Sequence, residues 1–81
     1  MFYYTYVLES TINGTLYIGW TTDLVHRIEE HNNKNVTSTK RYVPWVVVYY
    51  EACRSKKGAI EREKQLKTGF GRAYLKRRLS K

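Results

Sequence analysis

Cysteine is almost missing from this chain. With Cys53 alone, an intramolecular disulfide and a zinc site built from several cysteines are both excluded. Long apolar runs are missing too, all falling well short of the roughly 18–20 residues that cross a bilayer as a helix. The opening residues Met1-Phe2-Tyr3-Tyr4 carry neither a basic stretch nor a secretory cleavage pattern. These absences predict a cytoplasmic protein with no membrane partner. Repeats, linkers and low-complexity tracts are absent, and 81 residues leave no room for a second core. One domain over residues 1–81 is therefore expected. Acidic side chains are scarce in the last third, where residues 54–81 hold only Glu61 and Glu63 against eleven Lys or Arg. Residues 1–53 hold four basic side chains against five acidic ones.

That asymmetry points to a polyanionic partner, because phosphates are the commonest target of clustered Lys and Arg. Lys40 and Arg41 in the middle of the chain are the candidate phosphate contacts, with Lys64, Lys67, Arg72, Lys76 and Arg77 further on. The competing reading is a solvated helical surface that only maintains solubility. Composition is otherwise globular, with 42% apolar residues, eight tyrosines and two tryptophans.

Aromatic and β-branched residues predict strands over Phe2–Glu9 and Thr15–Trp20, joined by Asn13-Gly14, a type I′ hairpin signal. A helix is predicted from Asp23 to about His31, with Thr22 as N-cap and Leu24 and Ile28 on one side. The polar stretch 32–44 is irregular and longer than usual, as a binding loop would be. The apolar run Trp45–Cys53 reads as a strand covered on both faces. Ser55 opens a second helix ending near Lys67, with Gly69 as its stop, and a third runs over 72–79. The expected architecture is an α/β domain of α+β type: a three-stranded antiparallel sheet flanked by two or three helices.

Four polar residues, Tyr6, Tyr17, Arg27 and Glu63, stand where these patterns ask for apolar or constrained ones. A two-residue turn gives strand partners whose numbers sum to 27, setting Leu8 opposite Gly19 and putting Tyr6 and Tyr17 on one sheet face. A four-residue loop keeps that parity. Arg27 and His31, four apart, share one side of the first helix. Glu63 interrupts the stripe Ala59, Ile60, Leu66 of the second helix, where an unpaired carboxylate is costly. A divalent cation or a salt bridge to Arg27, Arg62 or Lys67 would relieve that cost. Singly, the tyrosines read as packing residues, Arg27 as a surface charge and His31 as a helix C-terminal residue on the dipole. Together, on one sheet face in a basic domain, they favour a phosphate-handling site.

Tyr4-Thr5-Tyr6, followed by Tyr17-Ile18-Gly19, resembles the paired motif of the GIY-YIG endonuclease family. The likeness continues through Trp20-Thr21-Thr22-Asp23-Leu24, Arg27, Glu30-His31-Asn32 and Arg62-Glu63-Lys64-Gln65-Leu66-Lys67-Thr68-Gly69. It covers nearly the whole chain, which resembles the small stand-alone members. Tyr4 stands in place of the family's glycine and Thr5 in place of its isoleucine. No asparagine follows Asn35, although many of these nucleases carry one beyond the glutamate. The resemblance implies a metal-dependent endonuclease acting on nucleic acid, DNA first, in repair or processing. It implies one Mg²⁺ or Mn²⁺ on Glu63, Arg27 on the phosphoryl oxygens, Tyr6 as general base, His31 relaying its proton, and Tyr17 positioning water or phosphate. Sequence specificity is then low or supplied by a protein partner. The alternatives are a nucleic-acid-binding module that keeps the fold with little cleavage, and a domain docking its basic helices on an acidic protein.

Overall fold

The aromatic run Tyr3–Ser10 forms strand β1, which the computed structural model, describing residues 1–80, sets in the middle of the sheet. Leu16–Thr21 (β2) and Trp45–Cys53 (β3) flank it, each antiparallel to it. Three helices complete the fold: α1 (Leu24–Asn32), α2 (Lys56–Leu66) and α3 (Gly69–Arg78). The expected three-stranded antiparallel sheet with flanking helices is what forms. Among the described residues no helix is long and apolar enough to cross a membrane.

Successive strand side chains point to opposite faces, so β1 serves two cores. On one face Val7 and Ile18 pack with Leu66 of α2 and Leu75 of α3. On the other, Tyr6, Leu8 and Trp45 pack with Leu24 and Ile28 of α1. Val7, Tyr6, Leu8 and Leu66 are completely enclosed, and each buried aliphatic side chain stabilises the fold by about 1.5–3 kcal/mol. Thr5 Oγ1 donates to the Ala59 carbonyl at 3.0 Å, fixing α2 to β1.

The structure corrects the expectation for β3. It is an edge strand, with Val46 and Tyr50 exposed, not a strand covered on both faces. Val7 lies opposite Tyr49 but Leu8 lies opposite Val47, leaving Val48 as an extra residue. This bulge reverses the alternation. Trp45 and Val47 consequently join the α1 core, while Val48 and Tyr49 join the α2–α3 core. The continuous apolar run records the bulge, not double coverage.

The hairpin turn also differs from the type I′ expectation. Ser10 pairs with Thr15 across the four residues Thr11–Gly14 (N to O, 2.9 Å), and of Asn13 and Gly14 only Gly14 takes a positive φ, 75°. Asn13 Oδ1 instead accepts from Thr15 N at 3.0 Å. The register moves by two, so Tyr6 faces Gly19 and Leu8 faces Tyr17. An even shift preserves parity, and the two tyrosines share a face as expected.

Asp23, not Thr22, caps α1, its carboxylate accepting from His26 N at 3.1 Å. An anion suits the positive end of a helix better than a hydroxyl. Ser55 caps α2 as expected. Gly69 does not stop the chain but opens α3 behind the Thr68 cap, three residues before the expected start. A Cβ at Gly71 would run into the Gln65 carbonyl and the Leu66 backbone, which shows how closely α3 approaches the end of α2.

The stretch 32–44 is tied down rather than loose. It holds a 3₁₀ turn at Lys40–Tyr42. The Asn32 side chain bonds both backbone groups of Trp45, N at 2.6 Å and O at 3.0 Å. Trp45 Nε1 donates to Thr39 O at 2.9 Å, and Ser10 Oγ donates to Tyr42 O at 2.7 Å.

Candidate active site

The site forms where α1 lies across the Tyr6 face of the sheet. Tyr6 is not a packing tyrosine with its hydroxyl in water, because the whole side chain is enclosed. Its hydroxyl lies 2.9 Å from His31 Nε2 and accepts from Arg27 Nε at 3.4 Å. The i, i+4 spacing of Arg27 and His31 brings both to this one oxygen. His31, the only buried residue of α1, places Nδ1 2.8 Å from Thr39 Oγ1. Arg27 also donates Nη1 to Glu30 Oε1 at 3.2 Å, and its Nη2 bonds no other described residue. Tyr17 packs its ring 4.9 Å from that of His31 and 6.4 Å from that of Tyr6. The Tyr17 hydroxyl has no bonding partner among the described residues. Four of the five expected catalytic residues, Tyr6, Tyr17, Arg27 and His31, are thus brought together.

Burial dominates the electrostatics. Loss of solvation pushes the Tyr6 phenol up to about 12, although the bond from Arg27 opposes this; Tyr17 and Glu63 add to the rise. In the free protein desolvation outweighs the one arginine, so Tyr6 is a neutral phenol at pH 7. His31 is pushed down to about 4 by burial and then by the charge of Arg27, with Glu30 opposing. It is neutral at pH 7, so the alternative of a charged residue answering the helix dipole does not hold.

Glu63 is placed differently from the expectation. Its helix, α2, covers the Val7 face, opposite to Tyr6. The carboxylate is nevertheless near enough to add to the rise of the Tyr6 phenol. Of the salt-bridge partners considered, it takes Lys67, with Nζ to Oε2 at 2.6 Å, and its side chain is 20% exposed. No three His, Cys, Asp or Glu gather into a metal-ligand cluster among the described residues. The donor set still fits a Mg²⁺-like ion, which binds through one or two carboxylates and completes its shell with water and substrate phosphate. Releasing Lys67 costs little, since an i, i+4 pair is worth only about 0.3–0.5 kcal/mol.

The seven expected phosphate contacts, Lys40, Arg41, Lys64, Lys67, Arg72, Lys76 and Arg77, are all exposed. Lys40 and Arg41 follow Thr39 directly, while the other five lie on α2 and α3 or at the α2 C-cap. Two features went unread in the sequence. Thr39 bonds the site histidine from a stretch without periodicity. On the opposite face Tyr49, Glu51, Arg62 and Tyr74 form a polar cluster. There Arg62 grips Glu51 at 2.8–3.0 Å, and the Tyr49 hydroxyl lies 2.6 Å from Glu51 Oε2 and 2.8 Å from the Tyr74 hydroxyl. Burial alone would raise the Glu51 carboxyl, but Arg62 and Tyr49 outweigh it and hold it below the usual range. The cluster joins β3, α2 and α3, and the alternation of residues 49, 51, 62 and 74 across three elements gives no signal before folding.

An arginine and a histidine thus converge on a buried tyrosine, beside a second tyrosine, on one face of an antiparallel sheet. A family model described as the GIY-YIG catalytic domain matches residues 2–79, and the chain belongs to that family. Among its relatives is a UPF0213 protein of Streptococcus agalactiae, 42% identical over 73 residues, covering 89% of this chain and 82% of that one. A UPF0213 protein of Desulfotalea psychrophila is 37% identical over 67 residues, 80% of this chain and 60% of that one. The solution NMR structure of a UPF0213 protein from Bacillus halodurans matches with a TM-score of 0.56 and 32% identity, over 93% of this chain and 82% of that chain. Membership of this family supports a nuclease-like function on nucleic acid.

Proposed function

We propose that the protein is a metal-dependent endonuclease hydrolysing nucleic-acid phosphodiester bonds, with DNA as substrate. The observation that carries this reading is the convergence of Arg27 at 3.4 Å and His31 at 2.9 Å on the enclosed Tyr6 hydroxyl. Arg27 keeps one guanidinium nitrogen unengaged, and a planar guanidinium suits two phosphate oxygens. Its bond to Tyr6 is long, so Arg27 can move onto the phosphate and release a lone pair of the Tyr6 oxygen for the attacking water. The water gives a proton to Tyr6 as Tyr6 gives its own to His31 Nε2, so a phenolate raised towards about 12 never accumulates. The hydroxide oxygen bonds phosphorus, and the bond to the leaving sugar oxygen breaks with its electron pair on that oxygen, which takes a proton from solvent. His31 returns its proton to solvent. Tyr17, with its hydroxyl unengaged, orients water or phosphate. Glu63 would hold one Mg²⁺ or Mn²⁺, which supplies Lewis-acid charge on a phosphate oxygen. Lys67, released from Glu63, joins Lys40, Arg41, Lys64, Arg72, Lys76 and Arg77 on the backbone phosphates, while a partner protein supplies target choice.

The test is incubation of the purified protein with supercoiled, branched and single-stranded DNA, and with RNA. Each substrate is offered Mg²⁺, Mn²⁺ or EDTA, beside Glu63→Ala. Metal-dependent nicking that the variant lacks is expected. Equal nicking by parent and variant, or none by the parent, overturns the reading. A second reading, a nucleic-acid-binding module with little cleavage, draws on the Glu63–Lys67 pair at 2.6 Å, which occupies the carboxylate a metal needs. Salt-sensitive binding with no nicking in any metal is its signature.

A further inference from the structure

We infer that Thr39 is a positioning residue of this site: its hydroxyl accepts the Nδ1 proton of His31 and so keeps the Nε2 lone pair turned to Tyr6. The bonds run in one line, with 3.4 Å from Arg27 Nε to Tyr6 Oη, 2.9 Å from Tyr6 Oη to His31 Nε2, 2.8 Å from His31 Nδ1 to Thr39 Oγ1, and 3.4 Å from Thr39 Oγ1 to Val36 O. Both ends of the line have fixed polarity. A guanidinium N–H only donates, and a carbonyl oxygen only accepts. Tyr6 therefore accepts a hydrogen bond from Arg27, and its own O–H needs an acceptor. The Tyr6 side chain is completely enclosed, and His31 Nε2 is the acceptor at hand. At the far end Thr39 gives its hydroxyl proton to Val36 O and is left with lone pairs for His31 Nδ1–H.

The reverse order fails at the Tyr6 end. It would aim two donors at the Tyr6 oxygen and strand the Tyr6 proton in a buried site. Burying a hydroxyl without an acceptor is costly, and no buried side-chain polar atom is left without a partner among the described residues. Thr39 is itself held firmly. It is completely buried, and its carbonyl accepts from Trp45 Nε1 at 2.9 Å. The neutral imidazole is thus kept in the one tautomer able to take a proton from Tyr6. The effect of Thr39 on cleavage rests on the proposed nuclease function; the tautomer does not.

The two can be tested apart. The chain has only two histidines, so long-range ¹H–¹⁵N spectra of the imidazoles resolve His31 beside the exposed His26 as an internal reference. In the parent, Nδ1 is expected to be protonated and Nε2 bare. Thr39→Ser, which keeps the hydroxyl, should preserve that pattern; Thr39→Val, which keeps only the shape, should lose it. Thr39→Ala serves if the valine variant does not fold, and if neither folds the parent spectrum decides. A parent His31 carrying its proton on Nε2, or a hydroxyl-free variant with the parent pattern, overturns the inference. In single-turnover nicking Thr39→Val should be slower by roughly ten- to a hundredfold with the serine variant near parental, a part of the about 10²–10⁴ that general acid–base groups supply. A parent that nicks nothing but shows the Nδ1–H tautomer leaves the positioning role standing and removes only the nuclease reading.

Discussion

Acid should weaken this fold through one buried histidine. In an unfolded chain imidazole protonates near 6.5; in the folded protein His31 protonates only near about 4, because burial and then Arg27 disfavour the imidazolium. The folded value is the lower one. Between those two pH values the unfolded state therefore holds a proton that the folded state lacks. The contribution of this group is full above about pH 6.5, is lost as pH falls towards 4, and changes no further below. At about 1.4 kcal/mol per pH unit, the loss across that window is about 3 kcal/mol. Against a total stability of about 5–15 kcal/mol for a small domain, that is a large fraction.

Urea unfolding at pH 7, 5.5 and 4, followed by the fluorescence of the buried Trp45, measures the loss. The control is His31→Gln. That variant should begin about 1–3 kcal/mol less stable at pH 7, since Tyr6 and Thr39 lose their shared partner. The gap between parent and variant should then close on acidification. Glu51, held below the usual carboxylate range, loses stability in the same direction as it protonates, but does so in both proteins. The difference between the two curves isolates His31. Parallel stability–pH curves for parent and variant would refute the burial argument and, with it, the neutral imidazole on which the relay depends.

Glu63→Gln should lower Mg²⁺-dependent nicking by at least about a hundredfold while leaving DNA affinity in EDTA near parental, since it removes only the metal's anionic ligand; equal nicking rates remove Glu63 from that role. Arg27→Lys should slow cleavage at saturating DNA by about 10²–10³, because an ammonium keeps the charge but not the fork that follows the phosphoryl oxygens; an unchanged rate shows that Arg27 does not serve the transition state. Replacing Arg72, Lys76 and Arg77 by Gln should flatten the plot of log affinity against log salt by up to about 2.7, at about 0.9 per phosphate contact, and an unchanged slope makes that surface a solvated face. Gly19→Ala should cost about 1–3 kcal/mol, because its Cβ would lie 2.6 Å from the Tyr6 hydroxyl and 2.8 Å from Cζ. A thermal midpoint equal to the parent's means that Tyr6 yields without cost.

Most elements of the fold were legible where local chemistry decides them, the α1 cap passing only from Thr22 to Asp23, and illegible where pairing does. Ser55 caps α2 because a hydroxyl before a helical run meets the orphan amide of Gly58 at 3.0 Å, a contact three residues long. The parity of Tyr6 and Tyr17 was legible because any even-length turn preserves it. The turn itself was not, because the dipeptide Asn13-Gly14 fits both a two-residue turn and the four-residue loop that forms. The bulge at Val48 lies further out of reach. It answers to which residues of β1 stand opposite, and nothing in Trp45–Cys53 announces that one residue is extra.

The site divides along the same line. Helical spacing brought Arg27 and His31 to one side of α1, and both reach Tyr6. Periodicity also put Glu63 in the middle of a stripe, but a stripe says that a helix faces a sheet and not which face it covers. Gly19 shows what the missing information was. A lone glycine in a strand signals that something approaches closely, and only the pairing of Tyr6 with Gly19 says what approaches. The glycine is needed for space, not for a turn, since its backbone takes no positive φ. Without a side chain there, the Tyr6 ring can lie across β2 with its hydroxyl directed to α1, where Arg27 and His31 meet it. The Tyr-Ile-Gly signature thus joins two demands, a tyrosine facing the site and, two residues on, a vacancy for the other tyrosine. That spacing of two, one full period of a strand, is why the motif is readable in a sequence whose first motif keeps only its tyrosine.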